Sequence, residues 1–103
     1  KLPTIIFDEV DTGVSGEIAK KMGKMMLQMS HNHQIIAISH LHQIASSGDA
    51  HYFVYKDHSS DKTVSRIKKL NEEERIMEIA HMIGGLNPSE SVLLNAKEMI
   101  SKN

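Results

Sequence analysis

The run Thr4-Ile5-Ile6-Phe7-Asp8-Glu9 constrains this chain more than any other segment, because four apolar or β-branched residues stop at two adjacent carboxylates. Such a run suits a strand covered on both faces, as in a parallel sheet. Ionised Asp8 and Glu9 cannot continue into that dry interior without partners, so they belong where the strand emerges. Asp11 adds a third acid just beyond.

Acids at a strand end either begin a polar turn or serve chemistry. An Asp in that place can hold Mg²⁺, usually through water, and a following Glu can orient and deprotonate an attacking water. Alone, the hydrophobic-Asp-Glu pattern does not choose between these. The next segment helps. Ser15 reads as a helix N-cap with Glu17 in the first turn, followed at helical spacing by Ile18, Met22, Met25, Met26 and Met29. Lys20, Lys21, Lys24 and Gln28 fall mostly on the other side. Unbranched thioethers fill irregular core space, and no Cys or His joins them as a ligand, so the Met stripe reads as packing. This is the crossover helix of a βαβ unit.

A second apolar run, Gln34-Ile35-Ile36-Ala37-Ile38-Ser39, ends at His40. A right-handed crossover places it parallel to the first run in the same sheet. Parallel strands present their C-terminal ends on one edge, so Asp8, Glu9 and His40 are expected to converge where open α/β sheets bind ligands.

Those residues carry a family resemblance. Ile5-Ile6-Phe7-Asp8-Glu9 resembles a Walker B strand, Thr12-Gly13-Val14-Ser15 occupies the D-loop position, and Ile38-Ser39-His40 resembles the switch-histidine strand of ABC-type ATPases. The Asp-Glu-Val-Asp wording is similar to the SMC branch. More closely, Asp8 to Gly16, His40 to Ala45, and Glu73-Glu74-Arg75 through Met82-Ile83-Gly84-Gly85 resemble the C-terminal end of the RecN family of bacterial, SMC-like DNA repair ATPases. The resemblance runs over nearly the whole chain. It implies ATP and Mg²⁺ as cofactors, Asp8 supporting Mg²⁺, Glu9 as catalytic base, His40 on the γ-phosphate, and Thr12, Gly13 and Ser15 in a nucleotide-binding segment facing a partner head. Two departures stand out. Most ABC proteins end the D-loop with Asp where this chain has Ser15, and the usual Pro after the switch His-Leu pair is here His42.

No G-x-x-x-x-G-K-[ST] phosphate loop occurs in the sequence, and Gly13-Val14-Ser15-Gly16 is too short and lacks the phosphate-cradling Lys. There is no L-S-G-G-type signature either. In ABC proteins both lie upstream of Walker B, so the sequence reads as an excised C-terminal piece of a larger ATPase, one partial domain over residues 1–103. Its expected partners are its own N-terminal ATPase half, a second head in a homodimer, and DNA through the full-length protein.

Composition fits a soluble, cytoplasmic globular piece, with 103 residues, a formal charge of −1 and no cysteine for a disulfide framework, and the resemblance implies a bacterial, nucleoid-associated setting. No long apolar stretch suggests a membrane span, and no basic segment followed by an apolar one marks a signal peptide. A near-neutral balance gives little grip on DNA phosphates. Lys20, Lys21, Lys24 and the Arg66-Lys68-Lys69 group are the candidates, and a solvated face explains each. With two Phe, two Tyr and no Trp, a base-stacking platform is not expected. Of seven histidines, the pairs His31-x-His33 and His40-x-His42 are closest, yet neither has a recognised zinc spacing.

The remainder reads as support. Leu41 to Ser47 forms a short helical turn ended by Gly48; His51 to Lys56 and Thr63 to Lys69 read as strands joined by a polar loop. Asn71 with Glu74 sets a capping box before Ile76, Ile79, Ala80 and Ile83, and Gly84-Gly85 ends that helix. Asn87-Pro88-Ser89-Glu90 offers a second start, with Asn87 as cap, before Val92, Leu93, Ala96, Met99 and Ile100.

The expected fold is therefore α/β: the C-terminal fragment of a P-loop, ABC/SMC-type ATPase head, with a largely parallel sheet, flanking helices and an added β-hairpin. The expected activity is that of the parent protein, an SMC-like ATPase in double-strand break repair and recombination. The alternative is a metal-dependent phosphotransferase or nuclease in which Asp8, Glu9 and Asp11 bind cations directly. A third is an interaction module that kept the fold and lost turnover.

Overall fold

The computed structural model describes residues 3–9 and 12–101. Asp11, one of the acids singled out by the sequence, lies outside the described residues. The order is β1 (Thr4–Asp8), α1 (Gly16–Met29), β2 (Gln34–Ile38), α2 (His42–Ala45), β3 (Tyr52–Asp57), β4 (Val64–Lys69), α3 (Glu72–Gly84) and α4 (Glu90–Ser101).

β1 and β2 pair in parallel, with Thr4 opposite Gln34 and Asp8 opposite Ile38. β3 and β4 form a separate antiparallel hairpin, Tyr52 opposite Lys69 and Asp57 opposite Val64. The parallel component thus has two strands, and the hairpin does not extend it. The fold is α/β with small sheets and helices.

The expectation that β1 is covered on both faces does not hold within this chain. Side chains alternate across a strand, so Ile5, Phe7 and Ile35 share the face that is half-buried, and α1 packs against β2. The opposite face carries Ile6, Ile36 and Ile38, and Ile6 is 62% and Ile38 51% exposed. The apolar pattern marks a two-faced strand, and these elements supply a cover for one face.

α1 begins as expected, with the Ser15 hydroxyl accepting from the Ile18 amide at 3.3 Å. Its buried stripe is displaced from the one the methionines suggested. Ala19, Gly23 and Met26 are buried, whereas Ile18 and Met25 are exposed. The reason is α2, which lies so close to α1 that only small residues fit between them. A β-carbon on Gly23 would stand 2.9 Å from the Gln43 carbonyl oxygen.

Ile79, Ala80 and Ala96 are buried where α3 crosses α4, with Ile76, Ile83, Val92 and Leu93 packed around them. Arg75 ties this pair to α2, donating to the carbonyls of Ala45 at 3.1 Å, Ser46 at 3.3 Å and also Gly48. The Ala45 and Ser46 carbonyls end a helix and have no intrahelical partner, so the guanidinium serves as a cap supplied from outside. The capping box at Asn71 and Glu74 forms as expected. The cap of α4 moves two residues from the expected Asn87: the Ser89 hydroxyl accepts from the Val92 amide at 3.3 Å. Pro88 then lies outside the helix, where its missing N–H costs nothing.

Candidate active site

β1 ends at Asp8 and the chain turns at once. Glu9 has φ 51°, a left-handed conformation uncommon for a residue with a side chain. Its amide donates to the Ile38 carbonyl at 2.8 Å, continuing the ladder one rung past the strand. Its carbonyl accepts from the Thr12 hydroxyl at 2.9 Å. Gly13 follows with φ 80°, which only glycine adopts freely.

β2 ends two residues before His40. The Ser39 hydroxyl accepts from the Leu41 amide at 3.0 Å, turning the chain so that α2 can begin at His42. The two strand ends bring Glu9 and His40 together, with Oε1 and Nδ1 3.8 Å apart. Both side chains are more than half exposed, so the pair faces an open edge. Asp8 is exposed beside them on the bare face of the sheet, sharing its row with Ile38.

Thr12 and Ser15 are near this edge, and both hydroxyls are engaged locally, Thr12 holding the Glu9 carbonyl and Ser15 capping α1. Glu9 thus depends on Thr12 for its backbone setting. Sequence periodicity gave no sign of this, nor of the Arg75 clamp or the contact of Gln43 with the start of α1. A signal for the last existed in the seven-residue spacing of Gly16 and Gly23, which puts both glycines on one helical face.

Among the described residues no three His, Cys, Asp or Glu side chains are grouped to hold a metal ion. Asp8 presents one exposed carboxylate at the end of β1. His42 is half-buried, and desolvation pulls its pKa below the ordinary value. The basic groups considered for DNA are partly engaged: Arg66 pairs with Asp57 at 2.6 Å and Lys68 with Glu74. No helix among the described residues is long and apolar enough to cross a membrane.

No protein-family model matches the chain. Individual proteins do. It is 41% identical over 98 residues to the DNA repair protein RecN of Vibrio cholerae serotype O1, an alignment covering 95% of the chain and 18% of that protein. It is 36% identical over 99 residues to RecN of Bacillus subtilis, covering 96% of the chain and 17% of the relative. This chain is similar to the C-terminal part of RecN. It spans less than one-fifth of the length of the RecN proteins it matches.

RecN of Rickettsia conorii is a further relative, 40% identical over 98 residues. The fold has its own counterpart. A solved structure from work on ATP-driven dimerization and DNA-stimulated activation of SMC ATPases superposes with TM-score 0.66 at 22% identity, covering 79% of this chain and 47% of the other. That likeness concerns the fold.

Proposed function

We propose that this chain supplies the Walker B carboxylates and the switch histidine of a RecN-like, SMC-type ATPase head acting in bacterial double-strand break repair and recombination. The observation that carries the reading is the meeting of Glu9 and His40, 3.8 Å apart at the shared end of two parallel strands. Similarity to RecN and an SMC-like fold support it.

Bound Mg²⁺ would neutralise charge on the β- and γ-phosphates of ATP. Asp8 would hold it through water, and the row it shares with Ile38 places the residue at the strand end. Glu9 accepts the proton of the attacking water. His40 donates to the terminal phosphate. Its neighbour Glu9 lies 3.8 Å away at the same edge. Thr12, Gly13 and Ser15 shape the segment that faces a second head in a homodimer. The bare apolar face formed by Ile6, Ile36 and Ile38 packs against the N-terminal half of the same head. DNA is engaged by the full-length protein, in the cytoplasm on the nucleoid.

The test is a pair of variants in the full-length protein. Glu9→Gln keeps the shape of the side chain and removes the proton acceptor, so ATP binding persists while hydrolysis falls at least about a hundredfold. Asp8→Asn instead weakens Mg-ATP binding. Wild-type turnover in Glu9→Gln would remove Glu9 from the role of base.

A further inference from the structure

Gln43 stands at the junction of the two segments that carry the site. α1 starts immediately after Ser15, and α2 starts two residues after His40. Gln43 lies in the first turn of α2 and reaches the first residue of α1. A β-carbon built on Gly16 would be 2.8 Å from the Gln43 side-chain nitrogen. The carboxamide oxygen of Gln43 is buried and has no hydrogen-bond partner among the described residues. A buried amide oxygen without a partner is unfavourable, so its place at a site edge calls for a reason.

The backbone around Gln43 is held firmly. Its carbonyl accepts from the Ser47 hydroxyl at 2.9 Å and lies against Gly23, while Arg75 fixes the far end of α2. α2 is therefore braced at its C-terminal end, and near its N-terminal end the Gln43 side chain approaches the start of α1. Gln43 follows His40 by three residues, and its side chain approaches Gly16, the residue after the Thr12 to Ser15 segment.

We infer that Gln43 is a positioning residue, which couples the setting of His40 to that of the Thr12–Ser15 segment through its contact with Gly16. This rests on the proposed ATPase role of Glu9 and His40. The Gln43 side chain reaches the start of α1, so the effect expected of its loss is on turnover.

The experiment is steady-state ATP hydrolysis by the full-length protein carrying Gln43→Ala, Gly16→Ala, or both. Gln43→Ala should lower kcat about tenfold with KM for ATP changed less than about twofold. Gly16→Ala removes no group and only displaces the Gln43 amide, so it should give a similar loss even if Gln43→Ala folds poorly. The double variant should be no slower than Gln43→Ala, because the added methyl then has no amide to displace. Wild-type kcat in both single variants, a KM rise equal to the kcat loss, or losses that multiply in the double variant would overturn the inference. Glu9→Gln in the same assay separates the two readings. If it blocks hydrolysis while Gln43→Ala and Gly16→Ala behave as wild type, only the coupling falls; if it hydrolyses normally, the coupling falls with the site.

Discussion

The amide of Glu9 donates to the carbonyl of Ile38 at 2.8 Å, so the last rung of the parallel pair holds the acid itself. Beyond that rung both chains leave the sheet, one toward Thr12 and the other toward His40. The acid and the imidazole are thus set by backbone ladder geometry before any contact between their side chains.

That geometry forces Glu9 into a left-handed conformation, which costs a residue with a β-carbon about 1–2 kcal/mol. Replacement should follow backbone preference. Glu9→Asn or Glu9→Gly should leave unfolding free energy within about 0.5 kcal/mol of the starting protein or raise it, whereas β-branched Glu9→Val should lower it by about 1–2 kcal/mol. Urea unfolding of the three variants measures this. Equal stability for Val and Asn would show that the strained turn is not retained.

The two glycines of α1 that face α2 should respond oppositely to alanine. At Gly16 the new methyl meets the far end of the Gln43 side chain, which can swing away, and helix propensity gains up to about 1 kcal/mol. At Gly23 it meets the Gln43 carbonyl oxygen at 2.9 Å, and backbone must shift at a cost of about 1–3 kcal/mol. Thermal melts should therefore show Gly16→Ala at or above the parent and Gly23→Ala below it. The reverse order would mean that α1 and α2 cross elsewhere.

Burial holds the pKa of His51 below its ordinary value, with the nearby Arg75 charge adding to the effect, and burial does the same for His42. In the unfolded chain both accept a proton near about 6.5, while the folded chain resists it. Their stability contribution is therefore complete above that value and is lost as pH falls through the window below it. Melting temperature should drop as pH falls below about 6.5, and drop less in His51→Gln. A pH-independent difference between the two proteins would show that His51 is not the sensor.

The helix ends were legible because capping is local: Asn71 and Glu74 satisfy each other within one turn, and Ser15 needs only Ile18. The parallel pairing of β1 and β2 was legible because handedness leaves one arrangement for two apolar runs joined by a helix. Ser89 took the cap from Asn87 because both are competent residues and only the geometry after Pro88 decides between them. The displaced stripe of α1 was not legible. It depends on α2 arriving close enough to need Ala19 and Gly23, a contact between segments about twenty residues apart. Glu9 and His40 could be brought to one edge from sequence, whereas the left-handed turn at Glu9 and the place of Gln43 required coordinates.

In the proposed site Asp8, Glu9 and His40 surround the phosphate end of a bound nucleotide. A crystal structure of the full-length protein with Mg²⁺ and a non-hydrolysable ATP analogue tests it most directly. The γ-phosphate is expected at the strand-end edge that Glu9 and His40 share, within hydrogen-bond reach of the imidazole, with Asp8 linked to Mg²⁺ through water. A nucleotide bound elsewhere, with Glu9 and His40 still facing solvent, would contradict it.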